Sequence, residues 1–385
     1  MAIDFPGPPL TVGQKHPTTP VEGVPTYTWD GEKWITGISS TSGVFVAKAG
    51  DTMTGALVLP ADPTAALEAA TKQYVDGAAG GGFNYAINGD MYVAQRATSF
   101  SNVASGTYTL DRYFTSFDGS VGTYTISQTP LAANELANFG VCLRWNQTGS
   151  GGSSFRRLLQ LVEDITKFAN KTMTISFYAK GAANFTMSVS LDRQFGLGGS
   201  PSASDVATLV GNNTFAVTTT WQRFQAVFNI GSIAGKTLGT TPNTSGVRIR
   251  LDVPPAAAFD LYMTGVKLEE GSVATPFIPP DRALEMHRCM RYYERTDNEA
   301  ASQSIFAINN GCNPIWDWLY QVTKRATPTV SYFGSYTPNN TTNSFSIQPA
   351  RSHAGIFQSQ TGALVCYWFM NANSGWIADA EMPIY

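Results

Sequence analysis

The strongest constraint on this chain is a two-residue alternation of apolar and polar side chains that recurs from one run to the next. In TMTISFYAKG, Met173, Ile175, Phe177 and Ala179 alternate with Thr172, Thr174, Ser176 and Tyr178; in FTMSVSLD, Phe185, Met187, Val189 and Leu191 alternate with hydroxyls. WQRFQAVFNI, GVRIRLDVP and FDLYMTGVKLEEG keep the same period. Successive side chains of a strand point to opposite faces, so a period of two predicts strands with one face buried. Turns rich in Gly, Asn and Thr separate them, and residues 83–280 therefore read as a β-sandwich with a jelly-roll topology. Only 14% of the 385 residues are charged, against about 25% in an ordinary soluble domain. Hydroxyl and amide side chains must then cover the outer faces.

Charge and cysteine usage exclude several functions. Lys and Arg number 25 and Asp and Glu 28, a net charge of −3 with no basic run, so the chain lacks the clustered cations that phosphate-backbone binding needs. The N-terminus MAIDFPGPPL has neither a positive nor an apolar signal region, and the expectation is a chain that is not exported by a cleaved signal and has no membrane span. Cys142, Cys289, Cys312 and Cys366 lie far apart without CxxC spacing, which predicts free thiols and no zinc motif.

Four segments are expected. Residues 1–47 hold a Pro-rich leader and the hairpin TYTWDGEKWIT, where Asp30-Gly31 reads as a two-residue type I′ turn setting Tyr27 opposite Trp34 and Trp29 opposite Glu32. A lone hairpin is marginal in water, so Tyr27, Trp29 and Trp34 are candidates for docking on another structure. Residues 48–82 run from GDTMTGALVLP into a helix over about 64–76, capped by Asp62 and ended before Gly80, Gly81 and Gly82, a flexible joint. Leu67, Ala70 and Tyr74 form a coiled-coil-like stripe too short to hold a monomeric helix. Together with Met53, Leu57 and Leu59 they are the candidate oligomer contacts. The sandwich follows over 83–280. Residues 281–385 begin with an amphipathic helix burying Met286, Cys289, Met290 and Tyr293 while Arg282, Glu285 and Arg288 face away, then give strand-like runs.

At these motifs the chain resembles bacteriophage tail fibre proteins. GDTMTGALVLP…ATKQYVD over residues 50–76 is similar to a motif recurring in such fibres, and TVGQ…TYTWDGEKW resembles the aromatic hairpin that often starts virion proteins. SFYAKG, TTWQRF and VKLEEGSVATPF resemble the carbohydrate-binding jelly rolls of these fibres, and HRCMRYYE and ADAEM their fibre ends. The resemblance implies a homotrimer within the virion, attached by its N-terminus to a tail or baseplate protein and assembled in the host cytoplasm, with distal domains binding host-surface glycans. The fold it implies is mainly β: an elongated multidomain fibre with a hairpin, a short helical neck, a jelly roll and a small β-rich tip. Only one copy of the motif occurs and no shaft repeats follow. A decoration or connector on head, collar or tail, without direct receptor binding, is equally compatible.

Catalysis finds little support. Glu163-Asp164 and Glu269-Glu270 are acidic pairs at strand ends, where solvated turns are common, and the parallel β-helix repeat of glycan-degrading tailspikes is missing. His16, His287 and His353 belong to no nucleophile motif. The expectation is a chain that is not an enzyme and has no cofactor. Jelly rolls often hold a structural calcium, for which Asp111, Asp260 or Glu269 are candidates whose spacing singles out no site. Sugars present apolar C–H faces ringed by hydroxyls, so aromatic platforms with a polar rim suit them. The C-terminal aromatic clusters supply the candidates Trp316, Trp318, Tyr320, Tyr332, Tyr336, Trp368 and Trp376, of which Trp316 and Trp318 share a strand face.

Overall fold

The computed structural model of the chain describes residues 5–19, 25–36, 82–296, 302–306, 315–339, 346–357, 365–370 and 375–381. The chain divides into two compact units, Met1–Ala61 and Asp62–Tyr385. Met53, Leu57, Leu59, Leu67, Ala70, Tyr74 and the expected neck helix lie outside the described residues, as do Gly80 and Gly81 of the joint.

In the first unit, strands β1 (Lys15–His16), β2 (Tyr27–Trp29) and β3 (Trp34–Thr36) form an antiparallel sheet in that order. The expected hairpin is therefore present but gains a third strand, and its register differs from the expected one: Trp29 pairs with Trp34 and Tyr27 with Thr36. The turn is four residues long because Asp30 closes it. Its Oδ1 accepts the backbone N–H groups of Glu32 at 2.9 Å and Lys33 at 2.8 Å, which lowers its pKa, and Gly31 takes a φ of 112° that an L side chain resists. Phe5 stacks on Trp34 at 5.1 Å and meets Tyr27 edge-on at 5.0 Å. The three docking candidates thus spend part of their surface on an internal aromatic cluster.

The second unit is built on a sandwich. Its strands are β4 (Ser99–Ser101), β5 (Phe114–Phe117), β6 (Tyr124–Pro130), β7 (Val141–Gln147), β8 (Arg156–Glu163), β9 (Thr172–Gly181), β10 (Phe185–Phe195), β11 (Asp205–Val206), β12 (Thr208–Val210), β13 (Thr214–Val217), β14 (Gln222–Asn229), β15 (Ser245–Val253) and β16 (Phe259–Glu270). One sheet runs β12-β14-β9-β16-β7-β6-β4; the other runs β11-β10-β15-β8-β5, with β13 also paired to β10. All of these pairs are antiparallel. The chain is mainly β, as expected, and the alternation does what it predicts: Met173, Ile175, Phe177 and Ala179 are fully buried against Val189, Leu191, Ile249 and Leu261. Burial of each larger side chain contributes about 1.5–3 kcal/mol.

A short helix, α1 (Ile165–Phe168), is capped by Asp164 accepting from the Thr166 N–H, and drops Ile165 and Phe168 into the core. Helix α2 (Arg282–Met290) starts at Asp281, whose side chain accepts from the Leu284 N–H at 3.0 Å. Cys289 is buried as expected, packed with Ile87, Val93, Leu161 and Tyr292. Glu285 corrects the expected helix face: it is 2% exposed, because it accepts hydrogen bonds from the Asn88 N–H and from Arg288. The helix ends before Tyr293, which belongs to the next strand.

The remaining strands are β17 (Tyr293–Arg295), β18 (Ser302–Phe306), β19 (Ile315–Leu319), β20 (Thr329–Phe333), β21 (Tyr336–Asn339), β22 (Ser346–Pro349), β23 (His353–Phe357), β24 (Val365–Met370) and β25 (Gly375–Asp379). They form three small sheets, β17-β25-β20, β18-β24-β21 and β19-β23-β22. Hydrogen bonds cross the expected boundary at residue 280. Arg325 donates to the Asn243 carbonyl at 2.7 Å, Gln95 Nε2 to the Tyr293 carbonyl at 2.9 Å and Arg291 Nη2 to Glu163 Oε2 at 2.9 Å. Sandwich and C-terminal strands fall in the same compact unit. No described helix is long and apolar enough to cross a membrane.

Candidate functional site

The outer face of the seven-stranded sheet is set by register. Across β6, β7, β16 and β9, Ser127 faces Arg144, Arg144 faces Tyr262 and Tyr262 faces Lys180. One step along, Thr125 faces Asn146 and Asn146 faces Asp260. Phe259, Leu261 and Met263 of the same strand are buried, so the period of two aims Asp260 and Tyr262 outward.

Electrostatics fix this row. Arg144 binds Asp260 through two parallel bonds, Nε to Oδ1 at 2.9 Å and Nη2 to Oδ2 at 2.7 Å, a geometry that raises the guanidinium pKa. The Tyr262 ring lies 5.1 Å from the Arg144 guanidinium and 5.0 Å from Lys180 Nζ. Lys180 Nζ is also 5.4 Å from the Trp221 ring. Glu135 accepts from Lys180 Nζ at 2.5 Å, the Ala132 N–H at 3.0 Å and Trp221 Nε1 at 3.1 Å. Half-buried Tyr262 and Trp221 thus stand among fixed charges, beside Ser127, Thr129 and Asn146.

Around Arg223, Lys267 and Glu269 this face is covered by the chain itself. Arg223 donates to the Ala274 carbonyl at 3.3 Å, Lys267 to the Pro276 carbonyl at 3.2 Å, and Glu269 accepts the Thr275 N–H at 2.9 Å. The rings of Tyr178, Phe139 and Phe277 close over the bulge between Thr264 and Lys267 at centroid distances of 5.4 and 5.2 Å. Gly265 lies in that bulge at φ 65°, where a Cβ would meet the Phe139 and Tyr178 rings at 2.8 Å.

Glu135 makes the site sensitive to acid. The Lys180 ammonium, helped by the Ala132 N–H and Trp221 Nε1, holds its pKa at about 2, below the ordinary 4.5. A depressed carboxylate contributes stability above its ordinary pKa and loses it as pH falls through the folded value. Trp221 should therefore be released between pH 4.5 and about 2. The check is the difference in tryptophan fluorescence between the native chain and Trp221→Phe across that range; a constant difference rules this coupling out.

The C-terminal aromatic candidates are placed otherwise. Trp318 is 5% exposed, Tyr320 8% and Trp376 0%, and with Ala354, Ile356 and Ala378 they form the core of the small sheets. These three are corrected from platform to core: the alternation shows that side chains share a face, and here that face points inward. Tyr332 is 44% exposed and meets Trp376 at 5.9 Å. The side chains of Trp316, Tyr336 and Trp368 lie outside the described residues.

The carboxylates named for calcium are engaged by protein donors. Asp111 accepts from the Gln95 N–H and Nε2, both at 2.7 Å, Asp260 from Arg144, and Glu269 from Thr275 and Lys267. No group of three His, Cys, Asp or Glu suited to a metal occurs among the described residues, and these residues do not fit a calcium ion. One member of each acidic pair is not solvated, although Glu270 is 44% exposed. Glu163 is 10% exposed and bound to Arg291 at 2.9 Å, and Glu269 is fully buried beside Lys267. Cys142 and Cys289 are free and buried, the Cys142 thiol being pushed up to about 12 by burial.

No protein-family model matches the chain, and no curated protein matches it. Solved structures with partial similarity include the CBM22-1 xylan-binding domain from Paenibacillus barcinonensis Xyn10C, at 16% identity over 46% of this chain and 94% of that one, with a TM-score of 0.28. A putative sugar binding protein from Bacteroides thetaiotaomicron is 13% identical over 49% of this chain and 100% of that one, with a TM-score of 0.33. The enzymatically active domain of bacteriophage CBA120 tailspike protein 4 is 14% identical over 47% of this chain and 22% of that one, with a TM-score of 0.28.

Proposed function

We propose that this chain is a non-enzymatic attachment fibre of a phage virion, and that the outer face of its seven-stranded sheet binds a host-surface glycan. The observation that carries the binding role is the row Ser127, Arg144, Tyr262 and Lys180 with Trp221 beside it. Two aromatic rings can cover apolar sugar faces there, while a bidentate ion pair, an ammonium, an amide and hydroxyls stand ready for ring hydroxyls. The virion role rests on the GDTMTG…ATKQYVD motif and the aromatic hairpin. A homotrimer mounted through its N-terminus on a tail or baseplate protein would present three copies of a weak site, and avidity would make attachment firm.

The test is binding of labelled full-length chain to host cells, with blocking of phage adsorption. Tyr262→Ala combined with Trp221→Ala should weaken binding by about tenfold or more, since stacked aromatic anchors carry a large share of such contacts. If the native chain neither stains cells nor blocks adsorption, the protein is a structural decoration or connector of head, collar or tail. Release of oligosaccharide from host capsule or lipopolysaccharide would make it a depolymerase.

A further inference from the structure

A second recess lies in this unit, away from the sheet row. It has a volume of about 530 Å3 and is lined by Phe83, Tyr85, Ile87, Val162, Tyr292 and four charged side chains, within the roughly 300–1,000 Å3 of small-molecule pockets. Phe83 is 58% exposed and meets Tyr85 edge-on at 4.8 Å, and Tyr85 rests on buried Phe168 at 5.0 Å. One wall is therefore aromatic and apolar, and it is fixed from behind.

The charged lining is unequal. Lys167, Arg288 and Arg291 face a single carboxylate, Glu163. Arg288 is neutralised from behind by Glu285 at 2.9 Å and anchored to the Asn84 carbonyl at 2.9 Å. Arg291 uses Nη2 on Glu163 at 2.9 Å, and its side chain remains 34% exposed. Lys167 is exposed, and no ion pair engages it among the described residues. The recess keeps a surplus of one positive charge. Glu163 is already engaged: its side chain is 10% exposed, Oε2 binds Arg291, and the Tyr292 phenol hydrogen-bonds to the same carboxylate. The Tyr292 phenol, raised to about 12 chiefly by burial and further by Glu163, remains a neutral neighbour.

We propose that this recess binds one sugar-acid residue, a pyranose carrying a carboxylate, as a site separate from the sheet face. The carboxylate offsets the surplus cation at Lys167 and Arg291 through charge-assisted bonds. The ring hydroxyls accept from the guanidinium N–H groups of Arg288 and Arg291 left open to the recess, their side chains being 25% and 34% exposed. The C–H face lies against Phe83 and the Ile87–Val162 wall. A phosphate dianion fits worse, because its second charge exceeds the surplus.

The experiment is calorimetric titration of the full chain with methyl β-glucuronide, methyl β-glucoside and cyclohexanecarboxylate. The glucuronide should saturate and bind at least about tenfold tighter than the other two, which lack the carboxylate or the hydroxyls. Its affinity should fall as salt is raised. Lys167→Glu should cost about tenfold with the thermal midpoint unchanged, since Lys167 is exposed, and Phe83→Ala should cost severalfold. No saturation up to tens of millimolar, equal binding of the glucoside, or indifference to Lys167→Glu overturns the proposal. Host-cell binding through the sheet face is scored separately and survives that failure.

Discussion

Glu381→Ala should lower the thermal midpoint of the chain by roughly 5–15 °C, following a loss of about 3–5 kcal/mol when one partner of a buried ion pair is removed. Glu381 is 5% exposed and its carboxylate is shared by two guanidiniums. Arg112, 1% exposed, binds Oε2, and Arg96 binds Oε1 at 3.2 Å. Arg112 also lies 3.4 Å over the Tyr292 ring, and Arg96 lies 3.7 Å over Tyr293. Burial penalises every one of these charges, so each cation depends on the carboxylate that faces it. Without Glu381, Arg112 keeps only the Leu161 carbonyl as a polar side-chain partner among the described residues. Differential scanning calorimetry reads the shift. Glu381→Gln, which keeps an acceptor, should lose less, and a shift below about 2 °C for the alanine variant would show that water enters and solvates Arg112.

That cluster also marks where sequence reading stops. Alternation placed the strands because it is local: Met173 to Ala179 need only their own neighbours to declare a buried face. The same rule held the sheet row in plain view, since FDLYMTG sets Asp260 and Tyr262 opposite Phe259, Leu261 and Met263. It could not say that the row around Tyr262 stays open while residues 274–276 cover the part of this face around Arg223, Lys267 and Glu269. That depends on Arg223, Lys267 and Glu269 finding partners on a returning segment.

The misplaced residues share a physical cause. Glu285 and Glu163 read as surface carboxylates until Asn88 and Arg291 arrive from 197 and 128 residues away. Trp318 and Trp376 read as platforms because aromatic alternation is the same for a core and for a binding face; among the described residues they pack with Tyr320, Ala354, Ile356 and Ala378. The hairpin register failed more locally. An Asp carboxylate that reaches two N–H groups ahead favours a longer turn over the tight one its following glycine suggested.

Lys324 gives the second large effect and a sharper test of how buried charge is tolerated here. Its side chain is fully buried, it ion-pairs with Glu294, which is 3% exposed, and it donates to the Met290 carbonyl at 2.7 Å. Burial lowers its pKa, and the Glu294 carboxylate counters that shift. Lys324→Met fills the space but strands Glu294, whose remaining described partner is the Gln321 N–H at 3.1 Å, so about 3–5 kcal/mol should be lost. Adding Glu294→Gln removes the stranded charge while an amide oxygen still accepts from Gln321. The double variant should therefore recover about 1–3 kcal/mol of the loss. Denaturant titration of both variants measures the difference. A double variant no more stable than Lys324→Met would mean that the Met290 carbonyl left without its donor, rather than the uncompensated carboxylate, sets the cost.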